Sequence, residues 1–144
     1  MKELKFIHIT KCAGSTIEEL GKENNILWGR YHKEYGWWHE FFPNKNIKLK
    51  NKYDWFMVVR NPYDRIISEF YCKWGGPKNN KILTNRDFNL FIRKKIRDRD
   101  NHNFFPDFKK FKGNHYSEQF KYIDTNLKIH IIHFENIEKE FNTL

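Results

Sequence analysis

The residues Lys5-Phe6-Ile7-His8-Ile9-Thr10-Lys11-Cys12-Ala13-Gly14-Ser15-Thr16 carry the types needed to hold an anion. Lys11 supplies a point charge, Ser15 and Thr16 supply hydroxyl donors, and the small residues around Gly14 let backbone N–H groups approach a ligand. The β-branched and aromatic run 5–9 reads as a buried strand, and a helical pattern begins at Ser15. Strand, loop and helix start together would aim the positive end of a helix dipole at the ligand. This is phosphate-binding grammar. The Gly-Lys-[Ser/Thr] triplet of nucleoside-triphosphatase loops is absent, because the lysine lies before the glycine.

A second segment offers another anion seat. The apolar run 55–59 ends in Arg60-Asn61-Pro62-Tyr63-Asp64-Arg65-Ile66-Ile67-Ser68-Glu69-Phe70-Tyr71. Pro62 suits the first turn of a helix, and Ile66, Ile67 and Phe70 repeat at helical spacing. Arg60 then stands at the C-terminal end of a strand and Ser68 two turns into the following helix. An ion pair at a strand end is the competing role for Arg60, and an ordinary helix-face serine the competing role for Ser68.

The elements that must position these groups follow from periodicity and turn signals. Strands are predicted at 5–9, 26–31, 55–59 and 129–134, and helices at 15–22, 62–73 and 86–97. A short helical piece is expected near 117–122 and a helix from 135 to the end. The stretch 32–52 reads as loop, as does 100–114 with its Gly113-Asn114 turn signal, and 74–80 is a break. Strands separated by helices argue for α/β with a mainly parallel sheet, where ligands lie beyond the strand C-terminal ends. Lys11 and Arg60 both fall at that edge.

The strings HITKCAGST (8–16) and VVRNPYDRIISEFY (58–71) resemble the two cofactor-binding signatures of the sulfotransferases that use 3′-phosphoadenosine 5′-phosphosulfate. The resemblance is to the carbohydrate branch related to heparan-sulfate 2-O-sulfotransferases, with its small microbial and viral members. HYSEQ (115–119) and IIHFENI (131–137) agree with that branch. It implies a P-loop-NTPase-like, three-layer fold with a central, mainly parallel sheet flanked by helices, and one domain over 1–144. It implies that Lys11 meets the bridging or leaving oxygen of the phosphosulfate, within a cofactor loop of Lys11, Cys12, Ala13, Gly14, Ser15 and Thr16. Arg60 and Ser68 take the 3′-phosphate, adenosine 3′,5′-bisphosphate is the product, and no metal is needed. Relatives continue past the equivalent of Leu144, so the chain reads as minimal or C-terminally shortened.

A hydroxyl acceptor needs a base, and histidine is the side chain whose ordinary pKa suits the task. Relatives carry their acceptor-side histidine between the second and third predicted strands, where His32 and His39 lie. Trp37-Trp38-His39-Glu40-Phe41-Phe42-Pro43 resembles the histidine-bearing stretch of the small members, which favours His39. His32 and the carboxylates Glu34 and Glu40 are alternatives, and His39 packing among aromatics is the bland one. His115 with Gln119 would shape the acceptor or cofactor pocket, while His8, inside the first strand, reads as packed. An ordinary histidine base predicts an ascending limb of the pH–rate profile near pH 6–7.

Composition narrows the partners. The net charge is +9, which favours anionic ligands: a sulfonucleotide, an acidic glycan, nucleic acid or an anionic membrane. The densest basic run, Arg93-Lys94-Lys95-Ile96-Arg97-Asp98-Arg99, reads as a solvated helix face or as a surface for an acidic acceptor. No apolar run reaches membrane-spanning length, Met1-Lys2-Glu3-Leu4 leaves no room for a signal peptide, and the cysteines read as reduced, so a cytoplasmic protein is expected. Cys12 and Cys72 are far apart and no C-x-x-C occurs, which argues against a metal site. Two other readings compete. A nucleotide kinase would need the missing triplet and acidic magnesium ligands. A non-catalytic polyanion-binding module would make both phosphate motifs accidental.

Overall fold

Three short apolar runs pair as parallel strands in the order β1-β2-β3: β1 (Leu4–Ile7), β2 (Asp54–Val59) and β3 (Ile129–His133). This computed structural model describes residues 2–36, 38–73, 76–77, 84–100 and 115–144. Phe6 lies opposite Phe56, and Trp55 opposite Ile129. The central strand is buried continuously from Trp55 to Val58, as a parallel strand covered on both faces must be. Helix α1 (Gly14–Glu23) follows β1, α2 (Ile47–Lys52) precedes β2, α3 (Pro62–Phe70) follows it, and α4 (Asn85–Asp100) and α5 (Ile137–Phe141) complete the set. Among the described residues no helix is long and apolar enough to cross a membrane.

The aromatic residues build the core rather than strands. Phe6 and Trp28 pack on Phe56 with ring centroids 5.0 and 5.1 Å away, and Phe42 meets Trp55 at 4.8 Å. This explains why the strand predicted at 26–31 does not form. Trp28 Nε1 donates to the Leu4 carbonyl at 2.9 Å, and the chain then enters a 3-10 turn at Gly29–Tyr31. Gly29 has φ +52°, and a Cβ there would stand 1.9 Å from Glu18 Oε1. The stretch 32–52 is likewise more ordered than a loop, with two 3-10 turns and α2. Helix α3 ends at Phe70, three residues before the predicted end, and α4 runs over Asn85–Asp100. Trp37, His102, the Gly113-Asn114 turn and most of the 74–80 break lie outside the described residues.

Two local devices aim the chain at the sheet edge. Asn61 caps α3, its side chain accepting from the Tyr63 N–H at 2.9 Å, and Pro62 opens the first turn. The buried Arg65 guanidinium reaches back from α3: Nε donates to the Thr10 carbonyl at 2.9 Å and Nη1 to that of Ser117 at 2.7 Å. Nη2 donates to Thr10 Oγ1 and the His115 carbonyl, each at 3.1 Å. The exits of β1 and β2 and the segment after residue 114 are thereby held together.

His32 is buried edge-on to Tyr53, and neither ring nitrogen has a hydrogen-bond partner among the described residues. Burial, and after it the charge of Lys5, holds its pKa below the ordinary histidine range. A depressed folded-state pKa means that the unfolded chain binds the proton more readily, so this stability is complete above about pH 6.5 and is lost as pH falls below it. Thermal unfolding between pH 7 and pH 5 should show the melting temperature dropping with acidity. His32→Phe should drop less steeply, and at pH 7 should lie within about 1.5 kcal/mol of wild type. Identical pH slopes for the two proteins would dismiss this account of His32.

Candidate active site

The loop after β1 adopts a conformation that non-glycine residues rarely take: Lys11 has φ 63° and Ala13 φ 60°. Left-handed residues in such a turn aim backbone N–H groups into a concavity that suits an anion. Ala13 is the N-cap of α1 but makes no side-chain cap bond, and no acidic residue stands in the first turn. Among the described residues, neither a side-chain cap nor a first-turn carboxylate answers the positive end of α1. Gly14 packs under an imidazole, since a Cβ there would lie 2.3 Å from His8 Cε1.

This loop lines a cleft of about 630 Å³ through Lys11, Ala13, Gly14, Ser15 and Thr16. Arg60 and Ser68 line it from the end of β2 and from α3, and Trp38, His39 and His115 line it from later loops, joined by His8 and Arg30. The lining carries three permanent cations and three imidazoles, with no carboxylate among the described residues. The Arg60 guanidinium lies 4.1 Å from the Phe134 ring centroid and donates through Nη1 to the Lys11 carbonyl at 3.3 Å. Its buried Nε–H has no hydrogen-bond partner among the described residues. Leaving such a donor unsatisfied costs about 1–3 kcal/mol.

The expected site residues divide into those that meet in the cleft and those placed elsewhere. Lys11, the backbone of 13–16, Arg60, Ser68, His39 and His115 come together. Cys12 turns inward, its thiol donating to Gln119 Oε1 at 3.3 Å, and burial pushes its pKa up to about 11, so it stays protonated. Gln119 stands behind the cleft, accepting from the Arg60 N–H at 2.8 Å and donating to the Arg60 carbonyl at 2.7 Å. Glu40 pairs with Lys45 at 2.6 Å, and His32 lies in the aromatic core. Glu34 is paired with Lys52 at 2.9 Å.

His39 is 8% exposed and sits between two other imidazoles, with ring centroids 5.2 Å from His8 and 5.6 Å from His115. Burial, then the charges of His8 and His115, lowers its pKa to about 3. The flanking histidines are each anchored by a buried carboxylate. His8 Nδ1 meets Glu18 Oε1 at 2.8 Å, and Glu18 also accepts from the Arg30 N–H at 2.8 Å. His115 Nδ1 lies 2.9 and 2.8 Å from the two oxygens of Glu69. Among the described residues no group of three or more His, Cys, Asp or Glu is arranged to hold a metal ion.

His8, Glu18, Arg65 and Glu69 are the positions that the sequence did not single out. His8 reads as a strand residue, yet the strand ends at Ile7 and its ring reaches the cleft. The available signal for Arg65 and Glu69 is a charged pair four apart on the face of α3 that also buries Phe70.

The model of the family described as "Sulfotransferase family" matches residues 2–139 of the chain. No curated protein and no solved structure matches it.

Gly14→Ala should destabilise the fold by about 1–3 kcal/mol, the usual range for overpacking, because His8 is pinned on its far side by Glu18. Ser15→Ala, at an exposed neighbour, should stay within about 0.5 kcal/mol. Chemical denaturation of both variants checks the contrast, and equal stabilities would show that the His8 ring yields freely.

Proposed function

The chain belongs to the sulfotransferase family, and from that premise we propose that it moves the sulfuryl group of 3′-phosphoadenosine 5′-phosphosulfate to a hydroxyl, most suitably one on a carbohydrate. The observation that supports the reading best is two groups of anion-binding residues on one cleft: the uncapped start of α1 with Lys11, and Arg60 with Ser68 on the same lining. A nucleotide with phosphates at both its 3′ and 5′ positions matches two such groups.

When bound, this donor supplies the sulfuryl group and a 5′-phosphate leaving group. Lys11 and the backbone of 14–16 would steady negative charge on that phosphate. Arg60 and Ser68 would hold the 3′-phosphate, Arg60 by a charge-assisted contact. His39 would take the proton of the acceptor hydroxyl, and the half-buried Trp38 beside it offers a flat apolar face to a sugar ring. The carbohydrate assignment rests on that face and on the branch that the motifs resemble. Labelled sulfate offered with a panel of sugars and phenols tests it: label in the sugars supports the reading, and label in phenols alone reassigns the acceptor.

Adenosine 3′,5′-bisphosphate should bind about ten- to a hundredfold more tightly than AMP, the range for a charge-assisted contact worth roughly 1.5–3 kcal/mol. Arg60→Ala should erase most of that preference in calorimetry, and equal affinities in wild type would remove the role given to Arg60.

His39→Ala should abolish transfer while leaving nucleotide affinity within about threefold. The pH expectation changes from that of an ordinary histidine. With its pKa at about 3, His39 is already deprotonated at neutral pH, and only acid converts it to the inactive imidazolium. His39 should therefore contribute no ascending limb to the kcat/KM profile between about pH 6 and pH 8, its own limb lying at lower pH. A ¹⁵N titration of the His39 ring with its midpoint near pH 6.5 would show that the imidazole titrates normally.

A further inference from the structure

A base as deeply buried as His39 poses a problem of destination. Its imidazolium would lie between two other histidines with only 8% of the residue exposed, where burial and its neighbours disfavour the charge. One neighbour is built differently. His115 keeps 27% of its side chain exposed, and its Nδ1 is held by both oxygens of Glu69, which is 1% exposed. Tyr116 supports the same carboxylate, its hydroxyl donating to Glu69 Oε1 at 3.3 Å. Burial, then the charge of Glu69, pushes the Tyr116 phenol well above its usual range, so it remains a donor. A carboxylate that accepts from Nδ1–H fixes the tautomer whose lone pair is on Nε2, which is the arrangement of an oriented proton acceptor.

We propose that His115, oriented by Glu69, is the receiving end of a proton relay that begins at His39. The inference rests on the sulfotransferase reading above. As the acceptor oxygen bonds to sulfur and the bond from sulfur to the leaving oxygen breaks, the hydroxyl proton passes to one ring nitrogen of His39. The proton on its other nitrogen passes to Nε2 of His115, so His39 ends neutral. The new positive charge rests on His115 against the Glu69 carboxylate until solvent removes the proton through the exposed ring edge. Glu69 is thus a positioning residue, acting through His115. It follows Ser68 in α3, so a single helical turn carries both a phosphate contact and the anchor of the relay.

The variant Glu69→Gln separates this role from mere packing. It keeps the shape of the side chain, and Tyr116 holds the amide oxygen, which turns the amide N–H₂ toward Nδ1 of His115 and forces the proton onto Nε2. The relay then has no lone pair to receive the proton. The expected result is a loss in kcat of about a hundredfold or more, the direction known for wrong-tautomer histidines. Affinity for adenosine 3′,5′-bisphosphate should stay within threefold, and the ring ¹⁵N spectrum of His115 should show its proton moving from Nδ1 to Nε2. A folded Glu69→Gln protein with kcat within threefold of wild type overturns the relay. If that variant does not fold, His115→Ala serves: millimolar imidazole should restore much of its lost kcat, and failure to do so overturns the relay. Wild type that sulfates no acceptor at all defeats the sulfotransferase reading itself, whereas active wild type with an indifferent Glu69→Gln defeats the relay alone.

Discussion

One buried guanidinium holds the geometry of the cleft. Arg65 spends its donors on the carbonyls of Thr10, His115 and Ser117 and on the Thr10 hydroxyl, groups that lie in segments remote in the chain. Thr10 is next to Lys11, and His115 is the imidazole that faces His39. The loop after β1 and the His115 side of the cleft are therefore referenced to the same rigid fork. A lysine could not replace it, because only a planar guanidinium presents donors in several fixed directions. Removing it would also leave buried carbonyls without partners.

The site sorts its charges into layers. The cleft surface carries cations and imidazoles, while the carboxylates that position them, Glu18 and Glu69, stand one layer behind and are buried. The described lining residues include no carboxylate, yet two of the histidines are held by negative charge at their far ends. The net charge of +9 alone would not have this effect, since its basic residues are scattered along the chain.

The parts of this design that were legible in the sequence are those set by contiguous residues. The strand–loop–helix around Lys11, the Arg60 strand end and the Asn61-Pro62 helix start are local signals, and each element forms within a few residues of its expected place. The run 26–31 misled because Trp28 and Tyr31 suit strands in type, while Gly29 is there to clear Glu18 and Trp28 to fill the core over Phe56. The anchoring pairs left no local trace. Glu18 is 10 residues from His8, and Glu69 is 46 from His115, so only the folded chain unites them. Gln119 illustrates the same limit: its motif placed it at the site, but contact with Cys12 and the backbone of Arg60 is decided by tertiary packing.

That glutamine has a mechanical consequence. Its one amide grips Arg60 at both backbone polar groups and takes the thiol of Cys12, so the loop after β1 and the end of β2 are tied across a single side chain. The span between them behaves as a caliper with its jaws locked. Under the proposed function, a ligand would be gauged by the separation of its charged groups. A nucleotide with its phosphates spaced otherwise would then fill one jaw only.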